Sequence, residues 1–316
     1  MLGYAVKRIL KGIPVVIVVA VLVFFIIHMI PGNPAELMLG SDATPEDVAA
    51  LTTKMGYDQP IYIQFEKWAV EALHGDLGDS IFYNMPVIEV LKDKAEPTIV
   101  MVIYSIIVAM IIGIPVGIIA AIKRDGWLDR VCMGITMVGM SVPQFLLGLV
   151  LILVFAINLK IFPSVGYKTI GEVGFFKSVF YYLTLPSLTL GLERSASIAR
   201  VTRSAMLEVM GEDYIRTARA KGIGRFRVIY KHALRNALVP IVTVIGMEIP
   251  MLFGGAVIIE QVFSWPGLGL MTMSAIIGRD YPVIMGVCLL SAVVVLIANL
   301  VTDILYALVD PTISLD

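Results

Sequence analysis

Charge is scarce in this chain: only 16% of its 316 residues are Asp, Glu, Lys or Arg, against about 25% in a soluble globular protein. That deficit excludes an ordinary water-soluble domain, and the 58% hydrophobic content implies an all-α polytopic membrane protein. Cysteine is scarce too. Cys132 and Cys288 both fall in apolar runs, where a thiol acts as a small hydrophobe, so neither a disulfide framework nor a redox compartment can be read. His28, His74 and His232 are far apart, and no His-Glu-x-x-His or Cys-x-x-Cys pair exists, which leaves a metal-dependent intramembrane enzyme without ligands. A G-x-x-x-x-G-K-[ST] phosphate loop is missing; the nearest dipeptide, Lys221-Gly222, has the reverse order. The chain is therefore not expected to bind and hydrolyse ATP by that route. Neither a cofactor in this chain nor a nucleic-acid partner is expected. Tandem repeats, low-complexity tracts and an obvious inverted duplication are absent as well.

Long apolar runs are what the sequence has instead. A hydrocarbon core about 30 Å thick needs about 20 apolar helical residues, and five runs reach that length: Gly12–Ile30, Thr98–Ile122, Val131–Leu159, Ala237–Ile259 and Tyr281–Thr302. A sixth, Ser178–Leu192 continuing to Ala199, is weaker because Glu193 and Arg194 interrupt it. The first run follows Lys7, Arg8 and Lys11, yet it is long for a signal core and is followed by Pro31-Gly-Asn-Pro34 without a small-x-small cleavage pattern, so it reads as a retained span. Six spans place 16 Lys/Arg inside and eight outside, with the ten-cation segment Glu193–Arg235 in the cytoplasm. Without the sixth span that segment would face outside. Both termini are then expected in the cytoplasm of a prokaryotic cell, with the chain crossing its inner or plasma membrane.

Three parts follow: a first span over 1–30, an extracytoplasmic helical segment over 31–97, and a five-helix core over 98–316 with a cytoplasmic segment at 201–236. The segment 31–97 holds 12 acids and four lysines. Thr44-Pro45-Glu46-Asp47 carries an N-cap, a proline at the first helical position and an acid three residues on, and Gly56 ends that helix. A second helix should start at Pro60, with Ile61, Phe65, Trp68, Ala69, Ala72 and Leu73 as its apolar stripe. The stripe can pack on the bundle, lie on the membrane surface or meet a partner.

The basic segment carries the most specific pattern. Tyr214-Ile-Arg-Thr-Ala-Arg-Ala-Lys-Gly222 places Tyr214, Ala218 and Lys221 at i, i+4 and i+7 on one helical face, with Thr217 and Ala220 small enough for a partner surface to approach. Gly222 can leave the helix with positive φ. Arg219 and Lys221 fix topology, and a solvated loop touching anionic membrane lipid would account for the charge alone. The segment resembles the Glu-Ala-Ala loop of ABC importer permeases. Arg216-Thr217-Ala218 takes the first three places, Gly222 the glycine, and His232-Ala-Leu234-Arg235 the end. Arg replaces the acid, His the isoleucine and Arg the proline, departures similar to the dipeptide, oligopeptide and nickel branch. The likeness also covers Gly75-Asp-Leu-Gly78, the run from Ala199 to Glu208 and the run from Glu260 to Gly269.

The resemblance implies a non-catalytic permease subunit of an ATP-driven importer for small peptides or a related solute such as a nickel chelate. Its implied partners are a second homologous permease, two ATPase subunits that hold ATP and magnesium, and an extracytoplasmic solute-binding protein. Tyr214, Thr217, Ala218, Arg219, Ala220, Lys221 and Gly222 would then form the helix that couples to the ATPases. Glu248, the one acid well inside a long span, should face the bundle interior, a partner or a water-filled path. A stand-alone secondary transporter or channel is the alternative from another class, although it would be expected to show more intramembrane acids than this. Pro115, Pro143 and Pro250 can kink spans 2, 3 and 5.

Overall fold

The computed structural model describes residues 2–29, 34–39, 43–54, 56–167 and 175–309. Apart from one isolated bridge between Asp79 and Pro86, the described residues form helices and their connections. Helix α1 is Leu2–His28, and three short helices follow, α2 (Pro34–Leu39), α3 (Pro45–Lys54) and α4 (Ile61–Leu73). The 36-residue α5 (Val87–Ile122) leads to α6 (Trp127–Ser141) and to α7 (Gln144–Leu151), which continues as a π-helical stretch to Asn158. Then come α8 (Phe175–Gly211), α9 (Asp213–Ala220) and α10 (Arg225–Arg227), the last running through a second π-helical stretch into α11 (Leu234–Phe263). Helices α12 (Leu268–Gly278) and α13 (Tyr281–Val309) complete the order.

Four described helices are long and apolar enough to cross a membrane, at Val6–His28, Val87–Ile122, Arg225–Phe263 and Tyr281–Ile304. The third apolar run, expected as one span over Val131–Leu159 that Pro143 can kink, is two helices bent by 104° at Val142–Pro143. The cause is local. Proline disfavours helical backbone in the residue before it, and Val142 sits at φ −83°, ψ 124°. Counting that pair as one crossing gives five. The 37-residue α8, expected as a sixth, has the length but is not among the helices apolar enough to cross.

The chain divides into two compact units. One comprises Thr98–Trp265 with Met1–Ala5 and Ile297–Asp316; the other comprises Val6–Pro97 and Pro266–Leu296. The second is the more polar. There Asp47 donates its backbone N–H to the Thr44 hydroxyl at 3.2 Å and Gly56 has φ +73°, so the expected start and end of α3 are both present. In α4, Ile61, Phe65 and Trp68 pack against Phe24, Ile27, Tyr281 and Met285, whereas Leu73 at the end of the expected stripe is 87% exposed. The fully buried Asp280 accepts from the Ser80 hydroxyl at 2.5 Å and the Phe82 backbone N–H at 3.0 Å, tying that loop to the start of α13.

The other unit is held by close helix approach. Cβ atoms added at Gly113 and Gly117 of α5 would lie 2.7 Å from the Ser195 carbonyl and 2.5 Å from the Ala199 carbonyl of α8. Only glycine lets those two backbones meet, the small-residue packing that membrane helices use where lipid offers no hydrophobic drive to associate. The run from Glu260 to Gly269 closes α11: Trp265 is fully buried and donates its backbone N–H to the Glu260 carbonyl at 2.8 Å. The Glu260 carboxylate, also fully buried, accepts from the Thr98 hydroxyl at 2.6 Å.

Candidate functional site

Helix α9 is built as a rider on the bundle. Its eight residues start after Glu212 in extended backbone and end at Lys221, and Gly222 leaves at φ +76° as its position in the sequence required. Ile215 (0% exposed) and Ala218 (7%) face inward, packing into a cluster with Ile118 and Ala121 of α5, Ala205 and Met206 of α8, and Val228, Ile229, Ala233, Ala237 and Ile241 leading into α11. A helix this short is marginal alone and takes its stability from such burial.

That orientation divides the expected coupling residues between a buried and an exposed face. Ala218 lies under α9 in the chain's own core, because the inward stripe is Ile215 and Ala218 at i and i+3. Tyr214, Thr217, Arg219, Ala220, Lys221 and Gly222 are exposed. Tyr214, 41% exposed, accepts at its hydroxyl from Asn236 Nδ2 at 2.6 Å, bracing α9 against the start of α11. Thr217 spends its hydroxyl proton on the Asp213 carbonyl at 3.0 Å, leaving its methyl outward-facing as a small contact. Arg216 pairs with Asp213 at 3.2 Å, both highly exposed, so the pair contributes little. Just beyond, Phe226 (73% exposed) and Tyr230 (45%) stand with ring centroids 4.4 Å apart. They were not singled out from sequence, although two aromatics four residues apart in a basic segment are a readable signal.

Glu248 is buried, at 6% exposed, near the midpoint of the 30-residue α11. Its partner is Arg194, which donates from Nη1 to Oε2 at 3.0 Å and lies near the midpoint of the 37-residue α8. Glu193 completes a cluster, its Oε1 4.0 Å from Arg194 Nη2. The two charges that weakened the Ser178–Ala199 run thus belong with the acid in the Ala237–Ile259 run. Opposite charges inside separate apolar runs were the available signal, since such residues pair rather than face lipid. Nine residues along α8, Arg203 grips Asp129 of α6 through two 2.6 Å bonds, Nε to Oδ1 and Nη2 to Oδ2. Asp129 also accepts the Asp125 backbone N–H at 3.0 Å. Among the described residues no group of three or more His, Cys, Asp or Glu could hold a metal ion.

Helix α9 is thus short and basic, exposed on one side and rooted in the bundle on the other. Residues 113–315 match the family model described as "Binding-protein-dependent transport system inner membrane component", and residues 1–102 match the model of its N-terminal component. The chain belongs to this family. The permease is 41% identical over 313 residues to the glutathione transport system permease protein GsiC of Salmonella choleraesuis, covering 99% of each chain. To the protein of the same name from Escherichia coli strain K12 it is 42% identical with the same coverage. Among solved structures, the methionine ABC transporter MetNI in inward-facing conformations superposes with a TM-score of 0.59 at 23% identity, covering 71% of this chain and 97% of that one. At that identity the likeness concerns the fold alone. The chain is a multi-pass inner-membrane permease subunit of an ABC importer, and the secondary-transporter alternative is set aside.

Proposed function

We propose that this permease pairs with a second homologous permease, two ATPase subunits and an extracytoplasmic solute-binding protein, and that the assembly imports glutathione or a related small peptide. ATP and magnesium are held by the ATPases; this chain supplies path and joint. The identity of 41–42% over nearly the whole length to two glutathione permeases supports the solute class. A single observation carries the mechanism: α9 is exposed on one side and packed through Ile215 and Ala218 onto α5, α8 and the start of α11 on the other. When the ATPases close on ATP they carry α9 with them, and its buried face drags the three helices to reopen the path outward. Packed interiors transmit such displacements because they deform little.

In this reading α8 is the sixth crossing, shielded from lipid by its neighbours, and both termini are cytoplasmic. At 1.5 Å per residue α8 would be about 55 Å long, more than a bilayer core requires. Cysteine labelling tests the topology: residues introduced at Lys67 and Lys221 should differ in their access to an impermeant reagent in intact cells. The function is tested by co-expressing the permease with its partners and measuring ATP-dependent uptake of labelled glutathione and dialanine. Uptake of neither by an assembled, ATP-hydrolysing complex would overturn the peptide reading.

A further inference from the structure

The charges at the centre of α8 and α11 are more numerous than an ion pair needs. Glu193, Arg194 and Glu248 bring two acids and one base to the centre of α8 and α11, leaving a formal net charge of −1 among them. A structural pair would need one acid, and each further charge placed mid-membrane is costly unless it has a use. The satisfaction is incomplete as well: Glu193 Oε2 and Arg194 Nε are buried without a hydrogen-bond partner. Buried polar atoms in folded proteins are nearly always paired, so an orphan such as Glu193 Oε2, whose residue borders open space, calls for an explanation. Open space is present. Glu193 borders a cavity of about 240 Å³ walled mostly by apolar groups, Ile112, Val116, Ile135 and Leu147 among them, with Thr136 and Ser195 as further polar neighbours. On α11, Met247 and Met251 are exposed, and Met251 Sδ lies 3.6 Å from Arg194 Nη1, so a flexible, polarisable side chain adjoins the guanidinium on the side away from that cavity's lining.

We propose that Glu193, Arg194 and Glu248 form a solute-contacting site midway across the membrane. Glu193 receives the ammonium of an α-amino-acid head, and Arg194, held in place by Glu248, receives the carboxylate on the same carbon. Opposite charges 4.0 Å apart match a zwitterion whose two groups share one carbon, and the apolar walls of the cavity that Glu193 borders strengthen its contact relative to water. The inference rests on the peptide-import reading above and adds the residues that read the solute inside the membrane.

The experiment is ATP-dependent uptake of labelled glutathione into proteoliposomes holding the complete transporter, with co-purification of the ATPases as the check on assembly. Glu193→Gln should assemble normally and lower uptake about tenfold or more, while Glu193→Asp, which keeps the charge, should recover at least half. The double variant Arg194→Met/Glu248→Met removes the pair together and should remain inactive. Wild-type uptake by Glu193→Gln overturns the proposal, as does equal loss in Glu193→Asp. Recovery of transport in the double variant would also overturn it, since the charges would then serve only each other. A wild-type complex that hydrolyses ATP but takes up neither glutathione nor dialanine fails at the parent reading, and the site falls with it.

Discussion

Two charge systems on α8 sit nine residues apart and are built differently. Arg203 meets Asp129 with two 2.6 Å bonds, and a backbone N–H reinforces the carboxylate. Arg194 meets Glu248 with one bond at 3.0 Å, has a second acid at 4.0 Å, and leaves Nε without a partner. The first is closed: every part of it points to holding α6 against α8. The second is open in its bonding, with a surplus acid and an unpartnered guanidinium nitrogen; cavities border both, about 610 Å³ at Asp129 and Arg203 and about 240 Å³ at Glu193. The same division runs through α9, whose Ala218 is enclosed by the chain's own core while Ala220, two residues on, is exposed. Closed positions should report on folding, and open ones on what the permease does with its partners and solute.

The largest effect should come from Ala218→Trp. An indole cannot enter the packed cluster beneath α9, and overpacking of this size costs about 3 kcal/mol or more, read as a collapse in the melting temperature or yield of the detergent-solubilised chain. A normal melt would mean that α9 is not rooted as described. Asp129→Ala comes next. It strands Arg203, and because that side chain is about a quarter exposed the loss should fall below the 3–5 kcal/mol of a fully buried broken pair, at about 2 kcal/mol.

Glu248→Gln should destabilise the chain by less, about 1 kcal/mol, since Glu193 remains near Arg194 to share its charge and a glutamine oxygen can still accept its hydrogen bond. If Glu248→Gln lowers the melting temperature as much as Asp129→Ala, the distinction between closed and open charge on α8 is wrong. Smallest in stability is Ala220→Trp, within about 0.5 kcal/mol as for most surface changes, yet it should abolish ATPase co-purification because the contact there admits only a small side chain. Retained co-purification would move the joint off α9. Arg219→Ala at the same surface should alter partner affinity by about 0–1 kcal/mol.

Much of the fold was legible in one dimension. The apolar runs marked the long helices, the Thr44-Pro45 signal set the start of α3, and Gly222 marked its own exit from α9 because left-handed backbone favours glycine over residues with a Cβ. The break in the third run was half legible: Pro143 announced a kink, but the 104° turn depends on how α6 and α7 pack. Spacing puts Ala218 on one face with Tyr214 and Lys221, but an eight-residue helix of mixed character offers two stripes, and only the bundle decides that Ile215 and Ala218 are the covered one.

Hydropathy, charge asymmetry and motif order are properties of neighbouring residues, so the sequence by itself determined that this is a helical inner-membrane permease carrying a basic segment. Which charges meet was decided only by the tertiary structure. Arg194 and Glu248 are 54 residues apart, and Asp129 and Arg203 are 74; nothing local pairs them. They come together because glycines let α5 and α8 approach and because α11 and α6 pack alongside α8, and a buried charge in such a bundle must find its opposite or a polar ligand rather than lipid.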